Sequence, residues 1–303
     1  MRRIVWMIVG SAAVLAVVAE IAAWRWSGRL PLRELVQLEP GDGRCVALKP
    51  GAHVEYTGFL RRIPAVGHDV NALGFRGRPI VEERSPSTLR IAVLGDSFTF
   101  GLGVGAEETI AVALEAALAT KLDRRVEVLN FGVPGLNVEE VVEQYEHFAS
   151  RWSPDVVLYL VVDNDLDRGL CGGAVRLLAG DGWGAALVRW SSAARLMYLL
   201  SVRSSVEAEG RRLALDPGAP DRFMAAVGRL ESLVRAKGAQ LGIVILGWPT
   251  TAVVGDRMSS AKLSVLDVSG ILADPGHRIP DEGHLNAAGS RRVAEAIGQW
   301  IGK

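Results

Sequence analysis

The chain has 303 residues, of which 49% are hydrophobic, and its 34 basic side chains balance its 34 acidic ones. A disordered chain would contain fewer apolar residues, and a nucleic-acid-binding protein would normally show a basic excess, so both classes are excluded. The only two cysteines, Cys45 and Cys171, exclude a disulfide-rich scaffold. They leave open either a single bridge or two free thiols.

The N-terminus contains a long apolar run, residues 4–24, whose only charged member is Glu20. About twenty apolar residues are enough to cross a bilayer, and tryptophans near both ends of the run favour the membrane interface. We therefore predict a signal anchor with a transmembrane helix over residues 1–26. A cleaved signal peptide is the alternative, and the arginines on the two sides of the run nearly balance, so charge alone does not decide the orientation.

Residues 27–87 are rich in Gly, Pro and Arg and show no sustained hydrophobic period. Such composition is typical of loops, so we predict an irregular lead-in segment between the membrane and the folded domain.

From residue 88 onwards, apolar runs alternate with amphipathic segments. The runs predict buried strands at 90–95, 126–131, 156–162 and 241–246, and the amphipathic segments predict helices at 107–122, 138–151, 223–237 and 287–301. This alternation predicts a three-layer α/β domain over residues 88–303, with a parallel sheet between helices. Active sites of such domains lie at the carboxyl ends of the strands.

Residues 167–216 interrupt the alternation, and we predict a helical insertion there. Within it, residues 185–206 are amphipathic. The basic and hydroxyl side chains on one helical face are Arg189, Ser192, Arg195 and Arg203. We favour an ordinary surface helix, which would pack Leu187, Trp190 and Met197 into the core. The alternative is a helix that lies on the membrane surface or covers the active site.

Ser97 follows the first predicted strand in the sequence Gly-Asp-Ser, at the position where a nucleophile belongs. A serine hydroxyl is a weak nucleophile, so it needs an imidazole to take its proton and a third group to orient that imidazole. Asp281 precedes His284 by three residues, close enough in one turn for the carboxylate to hold the ring. These residues predict Ser97 as nucleophile, His284 as base and Asp281 as its partner.

A second histidine satisfies the same spacing, because Asp274 precedes His277 by three residues. Pro275 and Gly276 indicate an ordinary surface turn at that site, whereas His284 lies directly before the last predicted helix. We therefore favour His284, and His277 remains its rival.

Four blocks in this order are similar to those of the SGNH hydrolases, also called GDSL esterases and lipases. The blocks are residues 95–97, 130–135, 163–165 and 281–284, and the resemblance extends over most of residues 72–301. It implies a flavodoxin-like sheet and a Ser-His-Asp triad, with His284 favoured over His277.

The resemblance also implies an oxyanion hole made by the amide of Ser97, the amide of Gly135 and the side chain of Asn164. Fixed donors of this kind stabilise the negative charge that develops on the carbonyl oxygen. Gly132 is a second candidate for the glycine. Val162 stands where the third block usually begins with Gly, which predicts altered packing with catalysis retained.

Neither a cofactor nor a metal is implied. The glycines of residues 101–105 lack the spacing of a dinucleotide loop, and Arg168 occupies the position of the turn glycine in a calcium loop.

Together these features predict a membrane-anchored serine esterase, with its catalytic domain outside the cytoplasm. The predicted substrates are acyl or acetyl esters of cell-surface glycans or lipids. An O-acyltransferase with a sugar hydroxyl as acceptor would use the same residues, and a non-catalytic glycan-binding or assembly protein is the third hypothesis.

Overall fold

The computed structural model describes residues 2–28, 31–58, 63–80, 85–166, 180–198, 200, 218–247, 249–280 and 282–301. Within these ranges it does not describe the side chains of residues 3–5, 7–9, 163, 164 and 249–253.

The N-terminal run forms one long helix, α1 (Arg2–Trp26). Several of its large apolar side chains are more than half exposed, from Trp6 near the start to Trp24 and Trp26 at the end. Among the residues described, no helix combines the length and the apolar character that crossing a membrane requires. The predicted transmembrane span is therefore not confirmed.

The lead-in segment is more ordered than predicted. It contains α2 (Leu32–Leu35) and four short strands, namely β1 (Val36–Leu38), β2 (Val46–Leu48), β3 (His53–Tyr56) and β4 (Val66–Asp69). Strand β1 pairs with β2 and β3 with β4, both antiparallel. Strands of three or four residues are too short to show a hydrophobic period, which is why the sequence indicated an irregular segment.

The lead-in segment packs onto the domain that follows it. Val46, Val54 and Tyr56 are buried in the same apolar cluster as Leu94 and Phe131. The lead-in segment therefore shares a core with the α/β domain.

A five-stranded parallel sheet forms the centre of the domain. Its strands are β5 (Leu89–Leu94), β6 (Val126–Asn130), β7 (Val156–Val161), β8 (Gln240–Ile245) and β9 (Val265–Asp267), in the spatial order β6-β5-β7-β8-β9. This order is that of flavodoxin-like sheets, which place their ligand sites where the strand order reverses, beside β5. The predicted α/β class with a parallel sheet is confirmed.

Helices cover both faces of this sheet. The helices described from residue 88 onwards are α3 (Ser97–Phe100), α4 (Ile110–Ala119), α5 (Val138–His147), α6 (Trp183–Trp190) of the insertion, α7 (Ala219–Ala236), α8 (Pro249–Ser260), α9 (Ser269–Ala273) and α10 (Ala287–Ile301). Alternate residues of β5 enter different cores: Ala92 and Leu94 join the cluster of α5 and α7, and Ile91 and Val93 join that of α4 and α10. Since successive side chains of a strand point to opposite faces, helices form one layer on each side.

Beside the short helices α3 and α9, strand β9 and helix α8 of the domain were not predicted. Strand β9 has three residues, none of them fully buried, and lies at the edge of the sheet. Helix α8 contains Thr, Ser and Gly, which have low helix propensity. Neither sequence therefore carries the apolar pattern on which the prediction relied.

The insertion differs from the interpretation we favoured for it. Leu187, Trp190 and Met197 do not pack into the core; they are 51%, 86% and 72% exposed. Arg189 instead donates to the carbonyl of Gly180 at 2.8 Å. Arg203 lies outside the described residues.

Cys45 is disulfide-bonded. Cys171, the other cysteine of the chain, lies outside the described residues.

Candidate active site

Ser97 lies at the carboxyl end of β5, on a tight turn between strand and helix. Gly95 has φ +148°, and a Cβ at this position would come within 2.9 Å of the carbonyl oxygen of Leu160 on β7. Asp96 then caps α3, because its Oδ1 accepts from the amide of Phe98 at 2.9 Å. Only glycine fits the turn, and the cap starts the helix at Ser97.

The other end of α3 is held by Arg76 of the lead-in segment, which is 2% exposed. Its guanidinium donates to the carbonyls of Phe100 at 2.7 Å, Gly101 at 2.5 Å and Val104 at 2.7 Å. Burial lowers the pKa of Arg76 to about 10, so the side chain remains charged at neutral pH. The cation satisfies carbonyls that a helix end leaves without an intrahelical partner.

His284 lies against the serine. Its Nε2 is 2.9 Å from the Oγ of Ser97, and its ring packs against Phe98 with 4.9 Å between centroids. The Ser97 hydroxyl can also donate to Oδ2 of Asp96, at 3.3 Å. The shorter contact places an imidazole where it can remove the serine proton.

The rival histidine occupies another environment. The Nδ1 of His277 is 3.2 Å from the carbonyl oxygen of Ile271 and 3.5 Å from Asp274. Of the two candidates, His284 is the histidine whose hydrogen bond to Ser97 the structure shows.

The predicted triad carboxylate, Asp281, lies outside the described residues, so its role stays a prediction. Its neighbour Glu282 is described, and its Oε2 is 3.6 Å from the Nδ1 of His284. The phenol of Tyr56 donates to the same oxygen at 2.9 Å.

The second block packs directly against the serine turn. The Asn130 side chain donates to the carbonyl of Thr99 at 2.8 Å and accepts from the amide of Gly132 at 3.0 Å. The Val133 amide donates to the carbonyl of Gly95 at 3.1 Å. A Cβ on Gly132 would come within 2.7 Å of the backbone of Thr99, so this glycine permits the close approach.

These contacts favour Gly135 over Gly132 as an oxyanion donor. The amide of Gly132 is already bound to Asn130, whereas Gly135 is exposed, with φ +84°. The assignment of Gly135 stays a prediction.

The third block forms a 3-10 turn, Asp163–Leu166, after β7. The carboxylate of Asp165 is fully buried and accepts from the Tyr159 hydroxyl and from the Val162 amide, both at 2.6 Å. Val162, in the place of the usual glycine, is buried in the apolar cluster of α4 and α10. The Asn164 side chain is outside what the structure describes, and its oxyanion role stays a prediction.

Sequence reasoning missed the contribution of the lead-in segment, which supplies Tyr56, His68 and Arg76. His68 is fully buried, and its Nε2 accepts from the amide of Gly103 at 3.2 Å. Burial, and secondly the charge of Arg76, lower the pKa of His68 to about 3, so the ring is neutral. No local motif marks these residues, because their contacts are to segments far away in sequence.

The fold and the serine-histidine pair define a class: α/β hydrolytic enzymes with a serine at the carboxyl end of a central strand. The chain belongs to the GDSL-like lipase/acylhydrolase family, whose model matches residues 93–292. It is therefore an ester-hydrolysing enzyme.

Several solved structures are similar to the chain at low sequence identity. A lipolytic protein of the G-D-S-L family from Desulfitobacterium hafniense is 13% identical, with a TM-score of 0.43, and 70% of this chain covers 98% of that one. TesA is 15% identical, with a TM-score of 0.46 and coverage of 70% and 97%. The esterase EstA from Pseudoalteromonas is 13% identical, with a TM-score of 0.44 and coverage of 70% and 96%. No curated protein matches the chain.

Proposed function

We propose that the protein is a serine esterase in which Ser97 is the nucleophile and His284 the general base. The observation that carries this proposal is the 2.9 Å contact between the Nε2 of His284 and the Oγ of Ser97 at the carboxyl end of β5. The family supplies the reaction class, which is cleavage of an acyl ester.

In the first half-reaction, His284 takes the serine proton while the Oγ of Ser97 attacks the ester carbonyl. The tetrahedral intermediate then collapses, and the imidazolium gives its proton to the leaving alcohol. In the second half, His284 takes a proton from water, whose oxygen attacks the carbonyl of the acyl-enzyme. The bond to the Oγ of Ser97 then breaks, the imidazolium returns its proton to Oγ, and the acid is released. Asp281 is proposed to orient His284 as the triad carboxylate.

The charge of the tetrahedral intermediate requires donors near the serine. The Ser97 amide is at the first position of α3, where backbone N–H groups have no intrahelical acceptor. We propose that it acts with the Gly135 amide and the Asn164 side chain. These donors are neutral, and fixed backbone amides need no reorganisation as the charge forms.

A fluorophosphonate probe and a short p-nitrophenyl ester test this assignment. We expect wild type to label and turn over, and Ser97→Ala and His284→Ala to lose at least about a thousandfold in kcat/KM. His277→Ala is the matched control and should stay within about twofold. Folded wild type that neither labels nor turns over would instead support a non-catalytic binding protein.

We further propose that the enzyme is attached to a membrane, with its α/β domain outside the cytoplasm and with acyl or acetyl esters of surface glycans or lipids as substrates. The disulfide of Cys45 supports an oxidising compartment. The exposed apolar side chains of α1 support contact with lipid.

Helix α6 adds to this apolar surface. Trp183 and Trp190 are 84% and 86% exposed. The insertion also contacts α1, because Glu20 accepts from the Ser191 hydroxyl at 3.0 Å and from the amide of Ala193 at 3.2 Å. The carboxylate of Glu20, the only charged side chain of the apolar run, is thereby hydrogen-bonded to the insertion. Exposed tryptophans lie on both α1 and α6.

Flotation of the full chain with phosphatidylglycerol vesicles tests this attachment. We expect wild type to float and Trp183→Ala/Trp190→Ala to float less, with Trp300→Ala on α10 as the control. Protein that stays at the bottom of the gradient without detergent would contradict it.

A further inference from the structure

The carboxylate of Glu282 lies between the catalytic histidine and the lead-in segment. Its Oε2 is 3.6 Å from the Nδ1 of His284, which is the ring nitrogen opposite the one that contacts Ser97. The Glu282 side chain is only 3% exposed. A carboxylate at this depth is costly without partners, so its surroundings must stabilise it.

Strand β3 and the residues after it form a pocket for this carboxylate. The hydroxyl of Tyr56 donates to Oε2 at 2.9 Å. At Gly58, where φ is +79°, a Cβ would collide with Oε1 of Glu282 and come within 3.2 Å of Ile63. The absence of a side chain at residue 58 therefore leaves room for the carboxylate.

The phenol of Tyr56 is protonated and donates to this carboxylate. Burial, and secondly the negative charge of Glu282, raise the pKa of Tyr56 far above its ordinary value. Tyr56 therefore keeps its proton, and its hydroxyl holds the Glu282 carboxylate by a hydrogen bond.

We propose that Tyr56 and Glu282 are positioning residues for His284: Tyr56 holds the Glu282 carboxylate in place, and its negative charge favours the imidazolium that forms when His284 takes the Ser97 proton. This inference rests on the proposed function. It adds the carboxylate of Glu282 to that of Asp281, which is the predicted triad carboxylate and lies in the same block. It also makes the lead-in segment part of the catalytic site.

A distance of 3.6 Å is beyond a hydrogen bond, so Glu282 acts through its charge. An opposite charge within about 4–6 Å favours the charged form of a titrating group. Removing that charge should lower the pKa of His284 and move the acidic limb of the kcat/KM profile to lower pH.

The test compares Glu282→Gln with Glu295→Gln, a control at a half-exposed glutamate of α10 that pairs with Arg292. We expect Glu282→Gln to reduce kcat/KM about tenfold through kcat, with KM little changed, and to shift the acidic limb down by about one pH unit. Glu295→Gln should change neither quantity. A merely structural role would lower activity without moving the limb.

A second pair tests the hydrogen bond. Tyr56→Phe should reduce kcat severalfold without moving the acidic limb to lower pH, because it removes the hydrogen bond and leaves the Glu282 side chain in place. Tyr145→Phe is the matched control, since the Tyr145 hydroxyl is buried on α5 and has no hydrogen-bond partner in the described part of the chain.

The pKa of His284, measured by NMR titration of the imidazole, keeps the inference separate from the esterase proposal. A lower value in Glu282→Gln than in wild type supports the inference even if no ester is turned over. A pKa that falls in Asp281→Asn but not in Glu282→Gln would overturn it, as would a Glu282→Gln enzyme with wild-type kcat and acidic limb.

Discussion

Among single residues, His68 has the most unusual environment near the site. It is a fully buried histidine of β4, between the rings of Tyr56 and Phe100, at centroid distances of 5.8 and 5.5 Å. The lowered pKa keeps the His68 ring neutral at ordinary pH, so its Nε2 can accept a hydrogen bond from the amide of Gly103.

His68 should make the protein sensitive to acid. The unfolded chain binds a proton at this imidazole below about pH 6.5, while the folded chain does so only near pH 3. The unfolded state therefore binds more protons in this window, and the free energy of unfolding falls as the pH falls, by up to about 1.4 kcal/mol per unit from this group. Urea unfolding between pH 4 and 7 measures how the free energy of unfolding depends on pH.

His68→Gln should unfold with a shallower pH dependence than wild type, because the titrating group is gone. His147→Gln, at a partly exposed histidine of α5, is the control and should keep the wild-type slope. Equal slopes in wild type and His68→Gln would show that the buried imidazole does not contribute.

At the scale of elements, helix α3 carries the proposed nucleophile, Ser97, although it has only four residues. A helix this short is not stable on its own. Asp96 caps its start and Arg76 binds the carbonyls at its end, so neighbouring segments supply its stability.

Arg76→Met should therefore be strongly destabilising. The change leaves the carbonyls of Phe100, Gly101 and Val104 without their buried donor, which we expect to cost about 3 kcal/mol or more. Arg78→Met is the matched control, because Arg78 is exposed and pairs with Glu115, and such pairs contribute less than about 1 kcal/mol.

Both variants are compared with wild type by chemical unfolding and by the rate of fluorophosphonate labelling of Ser97. We expect Arg76→Met to slow labelling as well, since α3 positions the proposed nucleophile. Similar losses of stability in the two arginine variants would contradict the role given to Arg76.

At the scale of the whole molecule, the lead-in segment shares core contacts with the α/β domain and carries the disulfide-bonded Cys45. A disulfide stabilises a fold chiefly by restricting the unfolded chain. The chain has two cysteines, so a single bridge uses both.

Reduction should therefore destabilise the protein by about 2–4 kcal/mol. Thermal or urea unfolding with and without dithiothreitol measures this loss. Cys45→Ser should show the same loss, with no further effect of the reductant. Two thiols that react in denatured, unreduced protein would refute the bridge.

Four of the five sheet strands were predictable because each is a mostly apolar run that is largely buried. A strand buried on both faces is apolar at consecutive positions, so the sequence shows it directly. Helix α10 was predicted with the bounds that the structure shows. Ser97 and His284 were likewise visible, because each lies in a short motif at the end of a predicted element.

The sequence by itself thus determined the α/β class, the candidate nucleophile Ser97 and two candidate histidines, since all of these depend on local patterns. Tertiary structure decided that His284 rather than His277 contacts Ser97, and that Tyr56 lies against Glu282. Tyr56 and Glu282 are 226 positions apart in the chain. Contacts at such separations depend on how whole segments pack against one another, and no short motif records that packing.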